Sequence, residues 1–122
     1  MASESILKPK SLNFAKRIVY AYQFLSTEKK EYVLSKQLLR SGTSIGANVA
    51  EAQYGSSRKD FQAKLYIALR ECAETLYWLE LLYSCSYLSQ QEYQSLYSDC
   101  DELRKLLSSI TKSVREGTIP NS

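Results

Sequence analysis

The chain has 122 residues, 44% of them hydrophobic and 24% charged, with a formal net charge of +3. This length suits one domain with a single core, and so small a net charge neither indicates nor excludes binding to nucleic acid. Histidine is absent, which excludes the Ser-His-Asp and Cys-His nucleophiles and the Glu-x-x-His motif of dimetal four-helix bundles. We therefore expect no enzyme, no metal and no cofactor.

The first predicted helix follows a short N-terminal segment. Residues 1–10 show no apolar period and include Pro9, so we expect a flexible arm there. Ser11 can serve as an N-cap. Apolar side chains then recur every four residues at Phe14, Ile18 and Tyr22, which predicts an amphipathic helix over 11–26.

A second helix is predicted to begin near Glu31 or Tyr32, after the charged link STEKKE. Its seam alternates steps of four and three residues, as helices packed in heptads do: Leu34, Leu38, Ser41, Ile45, Asn48 and Ala52. Gly42 and Gly46 lie inside this helix, where each costs about 1 kcal/mol relative to alanine. With Ala50 they form a line of small residues that lets another backbone approach closely; a weak or kinked point in the helix is the alternative.

The third helix is predicted over 57–86. Gly55 suits a left-handed residue that ends helix two, and Ser57 with Asp60 resembles a capping box. Its second half is apolar nearly all round, which indicates a second buried surface, either a subunit contact or a partner groove. The residues assigned to this oligomer interface are Tyr77, Trp78, Leu81 and Leu82.

Helix four opens with a second capping box, Ser89 and Glu92. Apolar residues then continue in steps of three and four, and Gly117 and Pro120 end the helix. The chain therefore predicts an all-α fold, an antiparallel up-down-up-down four-helix bundle over 11–116, with a flexible tail over 117–122.

The three cysteines, Cys72, Cys85 and Cys100, are far apart in the sequence. On apolar faces they are typical of reduced core residues in a cytoplasmic protein, although a disulfide between two of them stays open. The chain shows no signal-peptide pattern and no apolar run near 18 residues, so we expect neither secretion nor a membrane span.

Two polar groups of residues are candidates for a function. The first is a structural polar network of Arg40, Asn48, Glu51 and Glu74, in which Arg40 or Arg70 would pair with Glu51 or Glu74 across helices two and three and fix their register. Alternatively, these side chains point into water. The second is a basic surface that would bind phosphates together with the start of helix three: Lys36, Arg40, Arg58, Lys59 and Lys64.

Two segments, QLLRSGTSIGANVAEA (Gln37 to Ala52) and ETLYWLELL (Glu74 to Leu82), carry a resemblance to a known family. The chain resembles the four-helix-bundle proteins encoded by intervening sequences of bacterial 23S ribosomal RNA genes, a family similar in fold to the retroelement accessory variability determinant. Arg40, Asn48 and Glu51 match the family's second helix and Arg58 matches its basic turn. Gly46 departs from the usual proline, and Ala52 from a frequent glycine.

The resemblance implies a homo-oligomeric ring, commonly a pentamer, and for the retroelement relative it implies binding to nucleic acid and to a protein partner through basic residues. We therefore expect a non-enzymatic, cytoplasmic homo-oligomer that is an RNA- or DNA-associated accessory protein. The alternative is a protein-interaction or assembly scaffold that binds no nucleic acid. With a net charge of +3, this chain is not strongly basic, unlike the retroelement relative.

Overall fold

Four helices make up the fold in the computed structural model, which describes residues 2–115. They are α1 (Ala2–Thr27), α2 (Leu34–Ala52), α3 (Arg58–Ser84) and α4 (Gln90–Arg115). Short connections make successive helices antiparallel, and α1 packs against α2, α2 against α3, α3 against α4, and α4 back against α1. The predicted up-down-up-down four-helix bundle is confirmed. The predicted tail, 117–122, lies outside the described residues.

The core is built from the inward stripe of each helix. Ile18, Leu38, Ile45, Leu79 and Leu107 are fully buried, and each occupies a position that repeats at three- or four-residue steps along its helix. Antiparallel helices that bury such stripes exclude water from a continuous apolar interior, which is the main stabilising contribution in a bundle of this kind.

The first helix begins at Ala2 and not at residue 11, so the prediction of a flexible arm over 1–10 is wrong for the described part of that segment. Leu7 lies one heptad before Phe14 and is only 1% exposed, which shows that the core stripe continues toward the N-terminus. Pro9 is exposed, so its ring needs no room in the core. Ser11 is an interior helical residue whose hydroxyl donates to the carbonyl of Lys8 at 3.1 Å, and it is not an N-cap.

The glycines of α2 lie where α1 comes closest. A Cβ on Gly42 would stand 2.8 Å from Cγ1 and 2.9 Å from Cγ2 of Ile18, and a Cβ on Gly46 would stand 3.3 Å from the carbonyl oxygen of Ser11. The prediction of close helix packing at these glycines is confirmed.

The start of α2 depends on a carboxylate that the sequence did not single out. Glu31 is 8% exposed, and its side chain accepts hydrogen bonds from the backbone N–H groups of Val33 at 3.2 Å, Leu34 at 3.0 Å and Ser35 at 2.7 Å. These donors belong to the first turn, which has no partners inside the helix. Glu31 therefore caps α2, which begins at Leu34, two to three residues after the predicted start.

Two helix ends use left-handed residues other than glycine, at Lys30 (φ 56°) and Ser86 (φ 66°). After α3, the N–H of Tyr87 donates to the carbonyl of Leu82 at 2.9 Å and that of Ser86 to the carbonyl of Tyr83 at 3.0 Å, which is a Schellman motif. Gly55 has no left-handed φ, so that prediction is wrong. Its lack of a side chain instead admits the backbone nitrogen of Phe61, which a Cβ would meet at 3.1 Å.

Replacing Ser86 by glycine is expected to raise the free energy of unfolding by about 0.5–1 kcal/mol. A left-handed conformation costs an ordinary residue about 1–2 kcal/mol, and the extra flexibility of glycine in the unfolded chain offsets part of that gain. Thermal unfolding should show a higher Tm. Ser84→Gly is the matched control, because Ser84 ends α3 as a helical residue; a loss of stability in both variants would contradict the prediction.

Candidate functional site

Arg40, a member of both predicted polar groups, links α2 to α3. One guanidinium nitrogen lies 3.5 Å from each carboxylate oxygen of Glu71, and the other donates to Oε2 of Glu74. Trp78 donates its indole N–H to the same Oε2 atom at 2.9 Å. Arg40 therefore forms one of the cross-helix pairs that the sequence suggested, and its charge is offset by two carboxylates.

The side chain of Arg58 is largely buried and forms an ion pair with Glu4. Its guanidinium donates to both carboxylate oxygens of Glu4, at 3.1 and 3.4 Å, and its Cζ atom lies 4.6 Å from the ring centroid of Phe61. The side chains of Arg58 and Glu4 are 19% and 15% exposed. A phosphate would have to displace a largely buried ion pair to reach Arg58, and removing one partner of such a pair is costly.

The remaining predicted cations are not close together. Lys64 pairs with Glu51 at 3.6 Å, whereas Lys36 and Lys59 are exposed and take part in none of the ion pairs formed within residues 4–112. Lys36 lies near the start of α2 and Lys59 just beyond its end. At 1.5 Å per residue, α2 rises about 24 Å between Lys36 and its last residue, Ala52. Lys36 and Lys59 therefore lie near opposite ends of the pair of helices α2 and α3.

An acidic residue occupies the helix start that was expected to bind phosphate. Ser57 caps α3 and accepts a hydrogen bond from the backbone N–H of Asp60 at 3.1 Å, and the carboxylate of Asp60 accepts one from the hydroxyl of Ser56. Ser57 is therefore the predicted cap, but the reciprocal bond of the predicted capping box is not formed, because the Asp60 carboxylate accepts from Ser56. The carboxylate already provides the negative charge that a helix N-terminus favours, so it opposes a bound phosphate.

The predicted polar network does not hold together as one unit. Asn48 donates to the carbonyl of Ser44 within its own helix, at 2.9 Å, and Glu51 pairs with Lys64, so neither joins the contact between Arg40 and Glu74. A different polar pair crosses the same interface: the hydroxyls of Ser41 and Thr75 are 2.9 Å apart, and both residues are fully buried. The sequence placed Ser41 on the predicted seam of helix two, but a helical pattern that scores threonine as polar gives no signal for Thr75.

The predicted oligomer interface divides into an exposed part and a buried part. Tyr77 is 55% exposed and meets Trp78 edge to face, with ring centroids 5.0 Å apart. Trp78 and Leu81 are half-buried. Leu82 is fully buried in the core of its own protomer, so its assignment to a surface was wrong; α3 turns this residue toward the interior together with Leu79.

All three cysteines are free thiols. Cys72 and Cys100 are core residues, and the thiol of Cys100 donates to the carbonyl of Cys72 at 3.6 Å. A hydrogen bond with Cys72, together with burial, raises the pKa of the Cys100 thiol, which keeps it protonated. Cys85 is exposed, because it follows the last turn of α3, so the assignment to a core face was wrong for this residue.

The described residues hold no metal-binding cluster and no membrane-spanning helix. No three or more His, Cys, Asp or Glu side chains within them form a group suited to a metal ion. Nor does any helix in that part of the chain combine the length and apolar character needed to cross a membrane.

Comparison with known families decides where this bundle belongs. The model of one family, the 23S rRNA-intervening sequence proteins, matches residues 4–109 and so spans all four helices. The chain belongs to this family. The resemblance carried by the α2 and α3 segments is thereby confirmed.

A crystal structure of a similar protein supports the fold of this 23S rRNA-intervening sequence protein. It is a crystal structure of a protein of unknown function from the S23 ribosomal protein family of Bacteroides thetaiotaomicron VPI-5482. The two chains are 55% identical and superpose with a TM-score of 0.89, over 90% of this chain and 98% of the other. No curated protein matches the sequence.

Proposed function

We propose that this member of the 23S rRNA-intervening sequence family is a non-enzymatic, cytoplasmic assembly protein that associates with itself through the outer face of α3. The observation that carries this proposal is the exposure of Tyr77 beside the half-buried Trp78 and Leu81. The inner face of the same helix already packs against α2 and α4. Aromatic side chains left at the surface in this way are typical of the centre of a protein interface.

The charges support assembly more than binding to nucleic acid. Of the five cations predicted to contact phosphates, Arg40, Arg58 and Lys64 are paired with carboxylates. The three free thiols also fit the reducing conditions of the cytoplasm. The stoichiometry of five that the family resemblance implies is part of the same proposal.

Replacing Tyr77 by glutamate is expected to weaken self-association by about 2 kcal/mol, or roughly thirtyfold in Kd, because a charge would replace an aromatic anchor of the contact. Sedimentation velocity over a concentration series measures this change. Tyr54→Glu is the matched control, since Tyr54 is 89% exposed and lies in the turn between α2 and α3. A wild-type protein that stays monomeric at every concentration would overturn the proposal.

Association with RNA or DNA is the second candidate function. The observation in its favour is Lys59, which is exposed in the first turn of α3 and takes part in none of the ion pairs within residues 4–112. Lys36 is the other unpaired cation of the predicted surface. Lys36 and Lys59 together would neutralise at most two phosphates.

Fluorescence anisotropy with a DNA duplex is therefore expected to give a slope of about −2 or shallower in log K against log salt, at about −0.9 for each phosphate. Lys59→Glu should flatten this slope. A steeper slope would show that cations outside the predicted surface bind, and no binding at low salt would remove this candidate.

A further inference from the structure

An open apolar cavity of about 260 Å³ lies between α1 and α2. Leu12 lines it from α1 and is 54% exposed within its own chain. The α2 wall of the cavity holds no side chain larger than threonine, so a large side chain of another molecule has room to enter. We name this surface the α1–α2 groove and define it by Leu12, Ala15, Thr43, Ala47 and Ala50.

The helices divide their charges between the α1–α2 groove and the outer face of α3. Residues 8–27 of α1 hold four cations and residues 34–50 of α2 hold two, and neither segment contains a carboxylate. Residues 71–84 of α3 hold three carboxylates and no cation. Surfaces of opposite charge attract one another and exclude wrong partners, so a second copy of this chain carries the partner that the groove fits.

Two cations beside the groove are left over after the pairing within the chain. Lys8 and Lys16 are exposed, and neither takes part in the ion pairs within residues 4–112. Each lies four residues from Leu12, one on either side along the sequence. The exposed leucine is therefore flanked by a positive charge one helical turn away in both directions.

Tyr77, the exposed aromatic residue of α3, is flanked by negative charge in the same way. Glu80 lies three residues after it, is exposed, and is absent from the ion pairs that the described residues form. Glu74 lies three residues before it. The bonds from Arg40 and Trp78 both end on Oε2 of Glu74, so Oε1 can accept from an ammonium group on another molecule.

The two flanking patterns have similar lengths. At 1.5 Å per residue, the two lysines lie about 12 Å apart along α1 and the two carboxylates about 9 Å apart along α3. Because lysine has a long and flexible stem, this difference is small enough for both charge pairs to form when Tyr77 lies over Leu12.

We propose that the outer face of α3 of one copy binds in the α1–α2 groove of the next, with Tyr77 over Leu12 and the flanking carboxylates facing the flanking lysines. The inference rests on the proposed assembly function and specifies the surface that receives α3. The contact is head to tail, because α1 and α3 do not contact each other within residues 2–115 and the two surfaces differ. Such a contact generates a ring when its rotation closes, which is compatible with five chains.

Two variants that each block one surface test this contact. Tyr77→Glu blocks the α3 side. Ala47→Glu blocks the groove side, because Ala47 is exposed on α2 and a glutamate there both fills the groove and repels the carboxylates of α3. Each variant alone is expected to raise the Kd of self-association by at least about tenfold. Ser98→Glu is the matched control, since Ser98 is exposed on α4 and belongs to neither surface.

An equimolar mixture of the two blocked variants distinguishes a head-to-tail contact from other forms of association. The Tyr77→Glu chain keeps an intact groove and the Ala47→Glu chain keeps an intact α3 face, so the mixture should form pairs of chains and nothing larger. Sedimentation velocity measures this, with the wild type forming the complete ring under the same conditions.

Cysteine cross-linking tests the same contact without introducing a charge. In a Cys85→Ser background, a chain with Leu12→Cys and Tyr77→Cys should form covalent oligomers of up to five chains under mild oxidation, because the proposed contact brings these positions within the reach of a disulfide. A bond inside one chain is prevented, since α1 and α3 are not in contact. Leu12→Cys with Lys59→Cys is the control and should give no linked chains, because Lys59 lies about 27 Å from Tyr77 along α3.

Pairs of chains in the mixture together with the cross-link would support the proposal. A wild-type assembly that Tyr77→Glu dissociates and Ala47→Glu leaves unchanged would overturn the groove and leave the assembly function in place. A mixture that stays monomeric, or a wild type that stops at two chains, would overturn the head-to-tail ring. A wild type that is monomeric at every concentration would overturn both this contact and the assembly function.

Discussion

Replacing Glu31 by alanine is expected to lower the free energy of unfolding at neutral pH by about 2–3 kcal/mol, since hydrogen bonds to charged groups contribute about 1.5–3 kcal/mol. The side chain accepts three backbone hydrogen bonds at the start of α2, where a negative charge also interacts favourably with the helix dipole. Urea unfolding measures the change. Glu28→Ala is the control, because Glu28 is an exposed carboxylate in the same connection.

The effect of Glu31 should depend on pH in a defined direction. Burial raises the pKa of this carboxyl, but the hydrogen bonds from Leu34, Ser35 and Val33 outweigh burial, so its pKa in the folded protein is lower than its ordinary value. A group with a lowered folded pKa contributes stability above its unfolded pKa, about 4.3 for glutamate. That contribution is lost as the pH falls through the folded value. The wild type and Glu31→Ala should therefore differ most at neutral pH and converge in acid; a difference independent of pH would contradict this account.

Replacing Gly42 by alanine is expected to destabilise the bundle by up to about 2 kcal/mol, although alanine is the better helix former. The new Cβ would stand 2.8 and 2.9 Å from the two γ-carbons of Ile18, which is a fully buried residue. Overpacking of this kind costs about 1–3 kcal/mol, against a gain in helix propensity of about 1 kcal/mol. Thermal or urea unfolding of the variant measures the balance.

A double-mutant cycle with Ile18→Ala separates these two contributions. Ile18→Ala alone should cost about 2–5 kcal/mol, the usual range for a buried isoleucine. In that background the clash is gone, and Gly42→Ala should become stabilising by about 1 kcal/mol. If Gly42→Ala destabilises equally in both backgrounds, close packing against Ile18 is not the reason for the glycine.

The seams of the helices could be predicted because apolar residues repeat with the period of the helix. The helix bounds and the buried faces were predicted wrongly where a local sequence rule and tertiary packing disagreed. Pro9 suggested the end of an unstructured segment, whereas burial of Leu7 extends α1 past it. In α3 the sequence assigned Leu82 to a surface, whereas the buried stripe includes both Leu82 and Thr75. The hydroxyl of Thr75 bonds to that of Ser41 in α2, so this polar side chain can be buried without water.

The candidate basic surface was harder to predict, because a charge is neutralised by residues that are distant in the sequence. Glu4 lies 54 positions from Arg58, and Glu74 lies 34 positions from Arg40. No periodicity within one helix indicates such pairs. Lys36 and Lys59 could be assigned to the surface from composition. That Lys36 lies near the start of α2 and Lys59 in the first turn of α3 follows only from the helix bounds.

The order in which the helices pack also has a kinetic consequence. Within residues 2–115 each helix contacts its neighbour in the sequence, and only the contact between α1 and α4 joins the first helix to the last. Chains dominated by such local contacts reach the native state quickly, on the order of microseconds to milliseconds for helical bundles, since little loop entropy is lost before contacts form. The slowest step of folding should therefore be the closure of α1 onto α4, after the three hairpins of helices have formed.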